Sequence, residues 1–156
     1  MNSFLQGFLD NDSFFGRFMT KLGIIIAANI MFVIFSIPFV TIGAGLVALY
    51  HVMFRTLRCG GVVNPFKEFW AGFKSNFKQG TIAWLIFVAI EGFLTVDLQI
   101  CAQAEGAVAS LRFAIYAIMA AVIFLYIYLL PTMAAFKDTL PHLVKNAMAF
   151  LAKKPW

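Results

Sequence analysis

Charge is scarce in this chain: 12% of its 156 residues are Asp, Glu, Lys or Arg, where a soluble domain carries about a quarter. With 62% hydrophobic residues and 19 phenylalanines, a soluble globule is excluded, because a domain this small leaves much of its surface in water. Cysteine is limited to Cys59 and Cys101, with no CxxC or Cys/His spacing, so no metal site is expected. Nor is there a GxSxG, HExxH or phosphate-loop pattern. The sequence offers no catalytic residues and no cofactor site, and a protein that is not an enzyme is expected. The net charge of +5 comes in short basic groups between apolar runs, which suits anionic lipid headgroups rather than nucleic acid. The first residues are amphipathic and contain Asp10 and Asp12, unlike a cleavable signal peptide.

Long apolar runs dominate what remains. From Leu22 to Phe54 no residue is charged, although one span needs only about 20 residues. Pro38 and the Thr41–Gly45 cluster break the run, so it reads as a helical hairpin with spans near 18–37 and 40–57. Two further spans are predicted near 81–101 and 111–130, the last ended by Pro131. Amphipathic helices are predicted near 65–79, started by Asn64-Pro65, and near 138–152, with Leu140, Leu143, Val144, Ala147 and Leu151 on one face. The fold class is all-α: a polytopic membrane helical bundle of about four transmembrane helices plus cytoplasmic amphipathic helices, forming a single membrane domain over 1–156.

Basic residues set the orientation. With both termini cytoplasmic, Arg17, Lys21, Arg55, Arg58, Lys67, Lys74, Lys78, Lys137, Lys145, Lys153 and Lys154 all fall inside, and Arg112 alone falls outside. A single span in the 22–54 run would place Arg55 and Arg58 opposite Arg17, so the bias also supports the hairpin. It puts Cys59 and Cys101 near opposite faces, and no disulfide between them is expected.

Certain residues are familiar. Phe14, Arg17-Phe18, Ser36-Ile37-Pro38-Phe39-Val40-Thr41-Ile42-Gly43-Ala44 and Ala48-Leu49-Tyr50, followed by Phe66, Phe69 and Phe73-Lys74-x-Asn76-Phe77-Lys78-Gln79, resemble the YesL family of bacterial membrane proteins of unknown function. The resemblance implies a multi-pass protein of the bacterial cytoplasmic membrane. Genes of that family lie beside carbohydrate ABC-transporter and two-component genes, which implies an accessory role near sugar uptake and a transporter permease or sensor kinase as partner. Family members run longer, with at least one more span, so this chain is either a short member or a truncated one.

Two groups of residues are candidates for function. Ionisable groups in lipid cost roughly 2.5–3.5 kcal/mol at a helix centre, which singles out Glu91. Thr95 and Gln99 continue its helical face, and Asn29 and His51 lie at comparable depth if depth is counted from the cytoplasmic span ends. Together they form a candidate intramembrane polar cluster, serving either a small oligomeric transporter or channel, or interhelical hydrogen bonding alone. The second group is the aromatic face Phe66, Phe69, Trp70, Phe73 and Phe77, which either rests in the bilayer interface or docks a partner. Gly43, Gly45 and Ala48 permit close helix contact, and His142 reads as a solvated residue.

Overall fold

The computed structural model describes residues 14–58, 63–103, 107–136 and 138–153. Cys59, Lys137, Lys154 and the first 13 residues lie outside them, as do the side chains of Phe14 and of residues 107–110 and 150–153. The described residues form five α-helices, α1 (Phe14–Phe35), α2 (Ile42–Arg58), α3 (Pro65–Gln103), α4 (Ala107–Ala135) and α5 (Leu140–Lys153), with a 3-10 turn at Phe39–Thr41 before α2. No strand occurs among the described residues. The all-α class holds, and α1, α3, α4 and the segment Phe39–Arg58 are each long and apolar enough to cross a membrane.

The hairpin forms where proline forbids further helix. Pro38 is extended at φ −74° and ψ 112°, and the Thr41 hydroxyl is shared between the carbonyls of Phe35 and Pro38. That hydroxyl satisfies a helix-end carbonyl that would otherwise be orphaned. The next start signal is equally local. Asn64 Oδ1 accepts from the amides of Phe66 and Lys67 at 3.1 and 3.3 Å, which caps α3 with Pro65 in its first turn.

From there the fold differs from the divided pattern that charge suggested. The amphipathic segment near 65–79 and the span near 81–101 are one uninterrupted helix of 39 residues, about 58 Å long. Gly80 lies between the two halves. A glycine inside a helix costs about 1 kcal/mol relative to alanine, but here it admits another backbone. A Cβ on Gly80 would stand 2.8 Å from Ala44 Cα, and one on Gly43 would overlap the Gly80 carbonyl and Trp84 Cβ. Further along the same seam, a Cβ on Gly72 would lie 2.9 Å from His51 Cβ. α2 therefore packs antiparallel along the first half of α3, with Gly43 beside Gly80 and His51 beside Gly72. The Trp84 indole donates to the Phe39 carbonyl at 3.0 Å, which fixes the turn of the hairpin at the middle of α3.

α2 lies between two cores. On one side Ala44, Ala48 and Val52 pack with Ile24 and Ala28 of α1 and with Phe69 and Phe73 of α3. On the other, Val47 joins Ala83 of α3, Tyr126, Leu129, Leu130 and Met133 of α4, and Leu143 and Ala147 of α5. α4 does not stop at Pro131 but runs on to Ala135. The missing proline N–H deprives the Ile127 carbonyl of its helical donor, a loss membrane helices tolerate when neighbours pack around it, as Leu129, Leu130 and Met133 do here. The predicted apolar face of α5 is used internally: Leu143 and Ala147 are buried, and Leu140 and Val144 pack beside them.

The glycine seam is testable. Gly80→Val is expected to lower the unfolding midpoint in mild detergent, at a cost of about 1–3 kcal/mol from overpacking. Gly92→Ala, at a helical site with nothing within 4 Å, is expected to leave it unchanged or raise it. A Gly80→Val protein as stable as the wild type would show that the two backbones do not meet there.

Candidate functional site

The polar residues selected from the sequence fall at three separate places. Asn29 is exposed on α1 and donates to its own helix, at the Ile25 carbonyl, over 2.8 Å. His51 faces the first turns of α3, where its Nε2 lies 3.4 Å from Glu68 Oε2. Glu91 lies far along α3. Since His51 sits level with Gly72, the nineteen residues from there to Glu91 separate the two by roughly 28 Å along the helix. The cluster of Asn29, His51 and Glu91 is not assembled. Comparable depth requires a helix that begins at 81, whereas α2 pairs with residues well before 81.

Glu91, Thr95 and Gln99 do share a face of the C-terminal half of α3, but no hydrogen bond joins one of their side chains to another. The Thr95 hydroxyl donates to the Glu91 backbone carbonyl at 2.7 Å, and Gln99 is exposed. Glu91 Oε1 is buried with no hydrogen-bond partner among the described residues. Nearby, Gly92 has open space around it, and Phe93, Val96 and Ile100 are exposed. Among the described residues no group of three His, Cys, Asp or Glu side chains could hold a metal ion. His142 is exposed on α5.

The aromatic face of α3 divides in two. Phe69 is fully buried and Phe73 is 8% exposed, both in the core shared with α1 and α2. The Phe35 ring, at the end of α1, lies 5.7, 5.7 and 5.0 Å from the rings of Phe69, Trp70 and Phe73. Phe66, Trp70 and Phe77 remain 61%, 52% and 42% exposed. Phe69 and Phe73 are thus internal packing residues, and of the five only the other three are exposed.

One association was not anticipated. Glu68 Oε2 is also 3.3 Å from Arg55 Nε, so a single carboxylate joins His51 and Arg55, one turn apart on α2, to the start of α3. The signal was present in the sequence: Glu68 is the one carboxylate between Asp12 and Glu91, so it had no competitor for the basic groups around it. Its charge also suits a helix N-terminus. With Arg55 half-exposed, the pair contributes at most about 1 kcal/mol. The carboxylate ties the first turn of α3 to the last turns of α2.

The division of the aromatic face has measurable consequences. Phe69→Ala is expected to destabilise the protein by about 3–5 kcal/mol, and Phe66→Ala by no more than about 0.5 kcal/mol, compared by thermal unfolding in the same detergent. Equal effects would mean that this half of α3 is not packed on the hairpin.

Residues 25–98, from the middle of α1 to near the C-terminal end of α3, match the family described as "Protein of unknown function, DUF624". No curated protein and no solved structure matches the chain.

Proposed function

We propose that the chain is a non-catalytic accessory protein of the bacterial cytoplasmic membrane, with both termini cytoplasmic. Its role in this reading is to dock a carbohydrate ABC-transporter permease or an associated sensor kinase. The observation that carries the proposal is the exposed remainder of the aromatic face. Phe66 and Trp70 protrude from the charged half of α3, while Phe69 and Phe73 anchor that half to α1 and α2. A rigidly held aromatic pair is the kind of feature on which protein interfaces concentrate their binding energy. The basic bias supports the orientation, and the resemblance to the YesL family supports the transport connection.

The test is a pull-down from native membranes in gentle detergent. Wild type is expected to retain a stoichiometric permease or kinase, and Phe66→Asp to lose it without loss of expression. Phe73→Asp is unsuitable, because it would place a charge in the core. An empty wild-type pull-down, or one that Phe66→Asp leaves undiminished, removes the accessory reading.

A second reading, a small oligomeric transporter or channel, is favoured by the unpartnered Glu91 oxygen beside Thr95 and Gln99. A buried polar atom in an apolar span wants a partner, and a second copy or a passing solute would supply one. For the accessory protein, Glu91→Gln is expected to leave both expression and partner capture unchanged. If Glu91→Gln abolishes solute uptake by cells while Phe66→Asp does not, the transporter reading takes its place.

A further inference from the structure

Beside the exposed aromatics a groove of about 880 Å³ opens between α3 and the residues just before α5, with Trp70, Lys74, Phe77, Lys78, Asp138 and Thr139 among its walls. That volume is in the range of small-ligand sites. We infer that this groove holds the headgroup of an anionic phospholipid, its phosphate between Lys74 and Lys78 and its acyl chains along α3. The inference rests on the membrane placement proposed above, but not on any protein partner.

Four features support it. The first is the order of residues along one helical face. Lys74, Lys78, Ile82 and Ile86 follow at intervals of four, so they lie in one row. Both lysines are exposed, and Ile82, Leu85 and Ile86 are 47%, 44% and 54% exposed. Charged groups followed by open apolar surface along a single line match the layout of a lipid molecule.

The second feature is depth. The groove lies where α3 and the segment that follows α4 leave their charge-free stretches, residues 79–90 and 113–136. The Gln79 amide donates to the Asp138 carbonyl at 3.0 Å, so the two limits are level with each other. Trp70 and Phe77 flank the lysines, and tryptophan in particular collects at the headgroup level of membranes.

The third is charge. Among the described lining residues two lysines oppose one carboxylate, that of Asp138, leaving one net positive charge for a phosphodiester with one negative charge. The Asp138 carboxylate is itself engaged, accepting from the Thr139 amide at 2.7 Å. The fourth is rigidity. The Ser75 hydroxyl donates to the Gly72 carbonyl and the Asn76 amide to that carbonyl and to Ser75 Oγ, and the Gln79 bond fixes the opposite wall, so the lysine ammonium groups are the adaptable donors.

Native mass spectrometry of the purified chain, released from mild detergent with phosphatidylglycerol or phosphatidylcholine of matched acyl chains, tests this directly. Wild type is expected to hold phosphatidylglycerol several-fold more tightly. Lys74→Gln and Lys78→Gln are each expected to weaken that binding about fivefold, with the unfolding midpoint unchanged because both side chains are exposed. Lys145→Gln, on the exposed face of α5, is expected to have no such effect, and excess glycerol phosphate is expected not to displace the lipid. Equal affinity for the two lipids would overturn the inference, as would unchanged binding in the double lysine variant. An equal loss in Lys145→Gln would show diffuse surface charge in place of a site, and displacement by glycerol phosphate would show that a soluble anion is the occupant. Partner capture plays no part in the assay, so its result is separate from the fate of the accessory reading.

Discussion

The close approach of α2 to α3 decides the rest of the architecture. Gly43, Gly72 and Gly80 remove the side chains that would hold the two backbones apart. Without a hydrophobic drive between helices in lipid, such small-residue seams are a main source of association. Once the seam is set, its consequences are local and compulsory. Trp84 meets the Phe39 carbonyl, Glu68 comes level with His51 and Arg55, and Phe69 and Phe73 turn inward to meet α1. α4 is left to pair with the remaining length of α3, where Phe87 and Tyr126 stack at 4.3 Å.

The parts of this structure that could be read from the sequence were those fixed by local chemistry. Pro38 with Thr41 makes the hairpin, Asn64-Pro65 starts α3, and the apolar runs give four helices capable of spanning. The continuity of α3 was not legible in the same way. A change from charged to apolar residues at a glycine looks the same whether the helix breaks there or passes through, and only the partner backbone at Ala44 decides between them. Pro131 is a similar case, since its cost is set by packing around the freed carbonyl and not by the proline itself.

The candidate sites show the same limit from another side. Phenylalanines at helical spacing mark an apolar face, but spacing cannot say whether that face is covered by the chain's own α1. Here α1 covers Phe69 and Phe73 and leaves Phe66, Trp70 and Phe77. The depth of Glu91 relative to His51 failed for a related reason. Depth counted along each helix assumes that all helices enter the membrane at the same level, and these do not.

That difference in level is a physical constraint on how the molecule meets a bilayer. The hairpin's charge-free stretch ends at Arg55, which is level with Glu68 of α3, whereas the charge-free stretch of α3 begins only after Lys78. Ten residues of helix separate the two limits, roughly 15 Å, or half the thickness of a hydrocarbon core. A flat membrane cannot satisfy both limits with every helix upright. Tilting the bundle eases the conflict, because α3's lysines face Asp138 and Thr139 and not the hairpin. The hairpin side then sinks while the lysine side rises to the headgroups. Tilt within the range seen for membrane helices, together with the reach of Lys74 and Lys78 toward the surface, narrows the gap. The stagger imposed by the glycine seam thereby assigns the two sides of one helix to different depths. The same stagger leaves the C-terminal half of α3, with Glu91, beyond the reach of the α1–α2 hairpin.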